Sequence, residues 1–132
     1  SCVSNLTHTN LEFSTLAKAS LSQATFIQAW LYGVNFIDAD LTYADFTGSN
    51  LEYANVFGAN MFHVNLSDAN LSNLRNWDEA FWLAARYNAN TIFPEGMNPD
   101  EYAMFELEVP APATALLFFA IAIKTRRRDQ SH

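Results

Sequence analysis

Apolar residues recur at every fifth position of this chain, without interruption, from residue 6 to residue 71. The series runs Leu6, Leu11, Leu16, Leu21, Phe26, Leu31, Phe36, Leu41, Phe46, Leu51, Val56, Met61, Leu66, Leu71. Two residues before each stands a small or compact one: Ala eight times, Ser three times, then Thr9, Val34 and Val64. One residue before each stands Asn eight times and Asp twice. The next step would put Leu74 at the small position and Asn76 at the apolar one, so the regular register ends at Asn73.

A period of five fits neither the 3.6-residue turn of an α-helix nor the two-residue alternation of a strand. Two inward positions, spaced by two, describe a very short extended segment. A turn must then follow every fifth residue, so the chain winds, and four such sides close a square coil. Asn and Asp suit the corners, because they bond nearby backbone and tolerate turn geometry. One large and one small side chain alternate in the crowded interior.

This run resembles the pentapeptide-repeat family, whose consensus reads Ala-(Asp/Asn)-Leu-X-X. Ala39-Asp40-Leu41 and Ala69-Asn70-Leu71 are consensus units, and the match covers Ser4 to Asn73. The resemblance implies an all-β fold, a right-handed quadrilateral parallel β-helix with four units per coil. The fourteen units then make about 3.5 coils, a prism about 17 Å tall at the spacing of paired strands. Thr15, Ser20, Thr25 and Trp30 depart from the Asn/Asp position, and Val34 and Val64 crowd the small one.

Outward columns follow a twenty-residue step. Ala17, Ile37 and Phe57 form one, and Ser22, Thr42 and Phe62 another; Phe13, Tyr32, Tyr43 and Tyr53 also lie outside. Ile37, Phe57, Phe62 and Tyr53 are the candidate interaction surface, since clustered exposed apolar groups mark binding faces. The Ile37/Phe57 column is a homodimer face unless the C-terminal tail covers it.

Past the repeats, Asn76 and Glu79 have capping-box spacing. Trp77, Ala80, Phe81 and Ala84 follow at helical spacing. This predicts an amphipathic helix over 77–86 that buries Phe81 and caps the last coil. Residues 87–99 resemble the terminal segment that follows the repeats in many bacterial members of the family, and Pro94 and Gly96 impose a turn there. The capping unit is thus 74–99, after a repeat domain of 1–73 and before an acidic linker at 100–109.

Residues 110–132 have a different character. Pro110-Ala111-Pro112 precedes an apolar run, Ala113 to Ile123, and then Lys124, Arg126, Arg127 and Arg128. The order is similar to the PEP-CTERM sorting signal in its Val-Pro-Ala-Pro variant. That resemblance implies recognition by exosortase-type machinery and a transient inner-membrane anchor. It also implies export to the bacterial envelope or extracellular space, with an N-terminal signal peptide. The apolar run would rise only ~17 Å as a helix against a hydrocarbon core of ~30 Å. The alternative is a core element at the end of the domain.

Charge sharpens this division. The 132 residues carry a net −7, split into −10 over residues 4–109 and +3 over residues 110–132. A basic nucleic-acid binder is excluded, because neutralising phosphates needs excess Lys and Arg. An aromatic content of 14% excludes a disordered acidic tail. The single cysteine, Cys2, excludes a disulfide scaffold. His8 and His63 fall on different columns and share no metal. Asp38, Asp40 and Asp45 sit on convex walls, where nothing raises a carboxylate into acid–base range. Neither a phosphate loop nor a catalytic set is present, so no enzyme, cofactor or metal is expected. The sequence points to an exported structural or protein-interaction module with a protein or matrix partner. The alternative is an acidic DNA mimic that binds a topoisomerase such as DNA gyrase.

Overall fold

The computed structural model describes residues 3–108. Residues 5–92 wind as a continuous ladder of isolated parallel bridges. Asn5 pairs with Thr25, Thr25 with Asp45, and Asp45 with Asn65. Parallel series start at Asn10, Thr15 and Ser20. Each coil therefore has twenty residues and four five-residue sides. They are named here from their first members: side 1 from Asn5, side 2 from Asn10, side 3 from Thr15 and side 4 from Ser20.

Every corner is built alike. In each of the fourteen units the apolar residue's carbonyl accepts from the N–H three residues on, as in Thr9 to Leu6 at 3.2 Å and Ala54 to Leu51 at 3.0 Å. The residue two places after the apolar one has φ between 54° and 69° in all fourteen units. A single positive φ at the third turn position is the type II turn. Three of these positions are Gly33, Gly48 and Gly58; the others include Phe13, Lys18, Gln23, Tyr43, Tyr53 and His63. None is β-branched, the class least able to adopt this conformation.

The recurring Asn and Asp do not bend the chain at the corner, where the sequence put them. They stand in the bridge positions, not in the left-handed corner. All eight Asn and both Asp accept, through Oδ1, from the N–H two residues later, at 2.9–3.1 Å. That N–H opens the turn and makes no backbone hydrogen bond, so the side chain satisfies an otherwise idle donor.

The interior is filled from facing sides. Phe26 and Phe46 of side 1 stack with centroids 4.9 Å apart and planes 3° from parallel, and Phe36 of side 3 packs edge-on against both. From Leu21 to Leu71 every fifth apolar residue is buried, while Leu6, Leu11 and Leu16 in the first coil are half-buried.

The helix expected over 77–86 does not form. Trp77–Glu79 make a single 3-10 turn, and the chain then rejoins the coil. Arg75 bridges Asn55, Phe81 bridges Asn60, Arg86 bridges Asn65 and Ile92 bridges Asn70. Single-residue insertions stretch the step from twenty to twenty-one and then twenty-two. The physical reason is the lower edge of the last regular coil. The N–H groups of Val56, Met61, Leu66 and Leu71 need acceptors, and Arg75, Phe81, Arg86 and Ile92 supply them at 2.7–3.1 Å. A helix satisfies its own backbone and would leave that edge unpaired. Phe81 accordingly faces out, 51% exposed, and its neighbour Trp82 is the buried ring, at 1%.

The acidic stretch from 100 onward is not a free linker either. Pro99–Tyr102 form a 3-10 turn. Phe105–Glu106 (β2) then pair in parallel with Arg86–Tyr87 (β1). Met97 and Met104 are buried against the core, with Trp77, Phe93 and Tyr102 packed beside them, and this lid closes the C-terminal end. A polar clasp holds the longest insertion. Asp68 accepts from Asn88 and Asn90, both at 2.9 Å, and Thr91 Oγ1 donates to the Leu66 carbonyl at 2.8 Å. The sorting-signal residues Pro110, Ala111, Pro112, Arg126, Arg127 and Arg128 lie outside the described residues.

Candidate interaction surfaces

The same repeat that points the apolar residue inward points its two neighbours outward. Those neighbours decide the chemistry of each wall. Side 1 is mostly polar, with Thr7, Thr47, Ser67, His8, Gln28 and Asp68 facing out and Ile27 half-buried among them. The hydrogen-bonded Asn88 and Asn90 keep the Asp68 carboxyl below the ordinary carboxylate value. Side 3 carries Ile37, half-buried, and Phe57, 45% exposed. At the lower end of side 1, after Arg86, burial first and then the carboxylates of Glu106 and Asp100 raise the Tyr87 phenol.

Side 2 is aromatic. Phe13, Trp30 and Tyr53 are exposed by 74%, 54% and 43%. Tyr32 joins two of them, with centroids 5.5 Å from Phe13 and 5.4 Å from Tyr53. Phe13 can lie against the wall because residue 33 is glycine; a Cβ there would sit 2.8 Å from the ring. Two hollows border this wall. One, of about 470 Å³, runs along the corner with side 1 past Gln28, Trp30, Asn50 and Asp68. The other, of about 430 Å³, lies between Phe13, Tyr32, Tyr53 and Arg75. Arg75 Nε donates to the Tyr53 carbonyl at 2.9 Å.

Side 4 has a second cluster, in its lower half. The His63 ring stacks on Tyr43 at 4.9 Å, and Phe62 packs edge-on to both. Phe81 and Leu83 extend the patch downward. Among the described residues no group of His, Cys, Asp or Glu is placed to hold a metal ion. Asp40 and Asp45 serve as turn acceptors for the N–H groups of Thr42 and Thr47.

The four outward residues named from the sequence do not share one face. Ile37 and Phe57 stand on side 3, Phe62 on side 4 and Tyr53 on side 2. The residue missed was Trp30. It reads as a departure from the Asn position, yet that position points outward, so an indole there was a legible surface signal.

The turn recurs in fourteen units and the Asn or Asp hydrogen bond in ten of them, all in one register. The profile of pentapeptide repeats matches residues 4–42 and 39–74 of this chain. The chain belongs to the pentapeptide-repeat family. Among solved structures it is similar to the pentapeptide-repeat protein Rfr23 from the cyanobacterium Cyanothece 51142. They are 31% identical, with a TM-score of 0.66, over 67% of this chain and 60% of that one. This chain thus spans three-fifths of that relative. It is also similar to a pentapeptide-repeat protein from Nostoc PCC 7120, at 28% identity and TM-score 0.40, over 80% of this chain and 78% of that one. A third likeness is a pentapeptide-repeat protein of the Arabidopsis thaliana thylakoid lumen. There the identity is 25% and the TM-score 0.36, over 74% of this chain and 68% of the other. No curated protein matches the chain. Among the described residues no helix is long and apolar enough to cross a membrane.

Proposed function

We propose that this pentapeptide-repeat protein is a non-catalytic binding module of the bacterial envelope or extracellular matrix. One observation carries the reading: four outward aromatic side chains in ring contact or side by side on side 2, three of them exposed by 43–74%. Exposed apolar clusters on a folded protein mark interaction sites, and a scaffold hydrogen-bonded at every coil holds them in fixed positions. The wall that sequence alone assigned to a homodimer offers less: Ile37 is half-buried and Phe57 is its one exposed aromatic ring among the described residues. The four-sided coil, right-handed as in the family, gives the module rigid walls.

Export is supported by the order of residues 110–132, prolines then an apolar run then arginines. Exosortase-type machinery would cut the tail and release a body of charge −10. The test is fractionation of producing cells, with an epitope inserted at the exposed turn by Glu95. The protein is expected in the envelope or medium, shortened by its tail. Full-length protein confined to the cytosol overturns the reading. The acidic body also favours a second reading, mimicry of duplex DNA toward gyrase. Supercoiling unchanged by an excess of the full chain removes it.

A further inference from the structure

We infer that side 2 is a saccharide-binding wall that takes a neutral oligosaccharide. The inference rests on the binding-module reading and names the ligand class for one of its surfaces.

Trp30 begins the argument. It occupies the bridge position, where eight of fourteen units carry Asn. Its presence removes a scaffold bond. Ten units satisfy the N–H that opens the turn with an Asn or Asp Oδ1, whereas the Tyr32 N–H makes no such bond among the described residues. The indole is not repaid by burial, since it is 54% exposed. Ser20 and Thr25 also lack this bond, but neither leaves a large apolar ring in water; the exposed indole is explained by what it meets outside.

Its setting indicates what that is. Trp30 and Tyr32 flank the inward Leu31 and leave the wall on the same side, about 6.6 Å apart along an extended chain. Tyr32 contacts Phe13 above and Tyr53 below, so the rings continue along the coil axis. The bordering hollows are shallow and open to solvent, one lined by Trp30 and Asn50 and the other by Phe13, Tyr32 and Arg75.

The polar groups select the ligand. Asn50 Oδ1 is used by the Glu52 N–H, which leaves the Asn50 amide donor facing the groove without a protein acceptor among the described residues. The Glu52 carboxylate already accepts from Asn70 at 2.9 Å, and Asp68 from Asn88 and Asn90. Engaged carboxylates are poor receptors for a basic peptide. Their charge, within a body of −10, repels a polyanion. What remains free among the described residues is aromatic surface, phenols, the Asn50 amide, the exposed Glu12 carboxylate and the outer nitrogens of Arg75; one charge of each sign gives the wall no track for a basic or an acidic polymer. A pyranose chain is complementary to that set: C–H faces meet rings, and uncharged hydroxyls meet amides.

The test uses the full chain in a detergent without a sugar headgroup. It is titrated with neutral hexasaccharides of the glucose, mannose, galactose and N-acetylglucosamine series, followed by indole fluorescence and saturation-transfer NMR. At least one is expected to bind. Trp30→Asn is expected to weaken it by about tenfold or more, the loss of one aromatic contact. The same variant is expected to keep or raise the melting temperature, because Asn restores the turn bond. Phe57→Ala, on side 3, is expected to leave binding unchanged. The inference is overturned if no hexasaccharide binds or if Trp30→Asn binds like the parent. It is also overturned if an anionic polysaccharide or an oligolysine peptide binds better. A photo-crosslinker at position 53, used in cells, separates the two levels. Envelope-protein crosslinks without sugar binding would overturn the saccharide and leave the module standing. No crosslinks and no export would overturn the module itself.

Discussion

The extra coil after the repeat makes a prediction that a capping helix would reverse. With a helix over 77–86, Phe81 would be buried and Trp82 would lie to one side. In the structure Trp82 is 1% exposed and Phe81 is 51% exposed. Trp82→Ala should therefore cost roughly 3–5 kcal/mol, the range for deleting a buried large aromatic. Phe81→Ala should cost under about 1 kcal/mol, since only half a ring leaves its neighbours. The Trp82 indole N–H also donates to the Trp77 carbonyl at 2.8 Å. Trp82→Phe keeps most of the packing and isolates that bond, at about 1 kcal/mol. Urea unfolding of the three variants measures the ranking. Solenoids lose end coils first, so amide hydrogen exchange provides the local readout. The Met61 and His63 N–H groups donate to the Phe81 and Leu83 carbonyls, and Trp82→Ala should speed their exchange well before that of Phe26 or Leu31. A larger loss from Phe81→Ala than from Trp82→Ala would refute the coil and restore the helix.

Three further outcomes follow from single sites. Thr25→Asn adds the missing turn acceptor for the Ile27 N–H and should stabilise by about 0.5–1 kcal/mol, read as a higher urea midpoint at unchanged slope. Gly58 has φ of 69°, and an added Cβ would collide with Asp38 Oδ1; Gly58→Ala should cost about 1–2 kcal/mol from the backbone alone, and Asp38→Ala in the same chain should recover only the part due to the collision. The Asp68 carboxyl is held below its ordinary value of 3.8 by Asn88 and Asn90, so the unfolded chain binds the proton first. Its contribution is complete above pH 3.8 and is lost as pH falls through the lower folded value. Acid unfolding of Asp68→Asn should be less steep in that window, and an unchanged slope would show that the clasp is not formed.

The sequence alone determined which residues of the regular coils face inward and that the chain winds in fives. Alternation and turn recurrence are local, so Leu21 to Leu71 could be placed one unit at a time. It also fixed the outward columns, because a constant step of twenty follows from four equal sides. What followed Asn73 was decided by tertiary structure. Trp77, Ala80, Phe81 and Ala84 satisfy a helical period, and nothing local tells them that an unpaired edge waits at Val56, Met61 and Leu66. A trace was legible, since Ala80-Phe81-Trp82, Ala85-Arg86-Tyr87 and Thr91-Ile92-Phe93 keep the small-X-large pattern across uneven gaps. Asn suits a corner because it bonds nearby backbone; only the folded coil separates the residue that bends from the one that accepts the hydrogen bond. The grouping of Trp30 with Phe13, Tyr32 and Tyr53 likewise needed the coils stacked. Ring contact between residues about twenty apart is a property of the wall, which exists only once the chain has closed its turns.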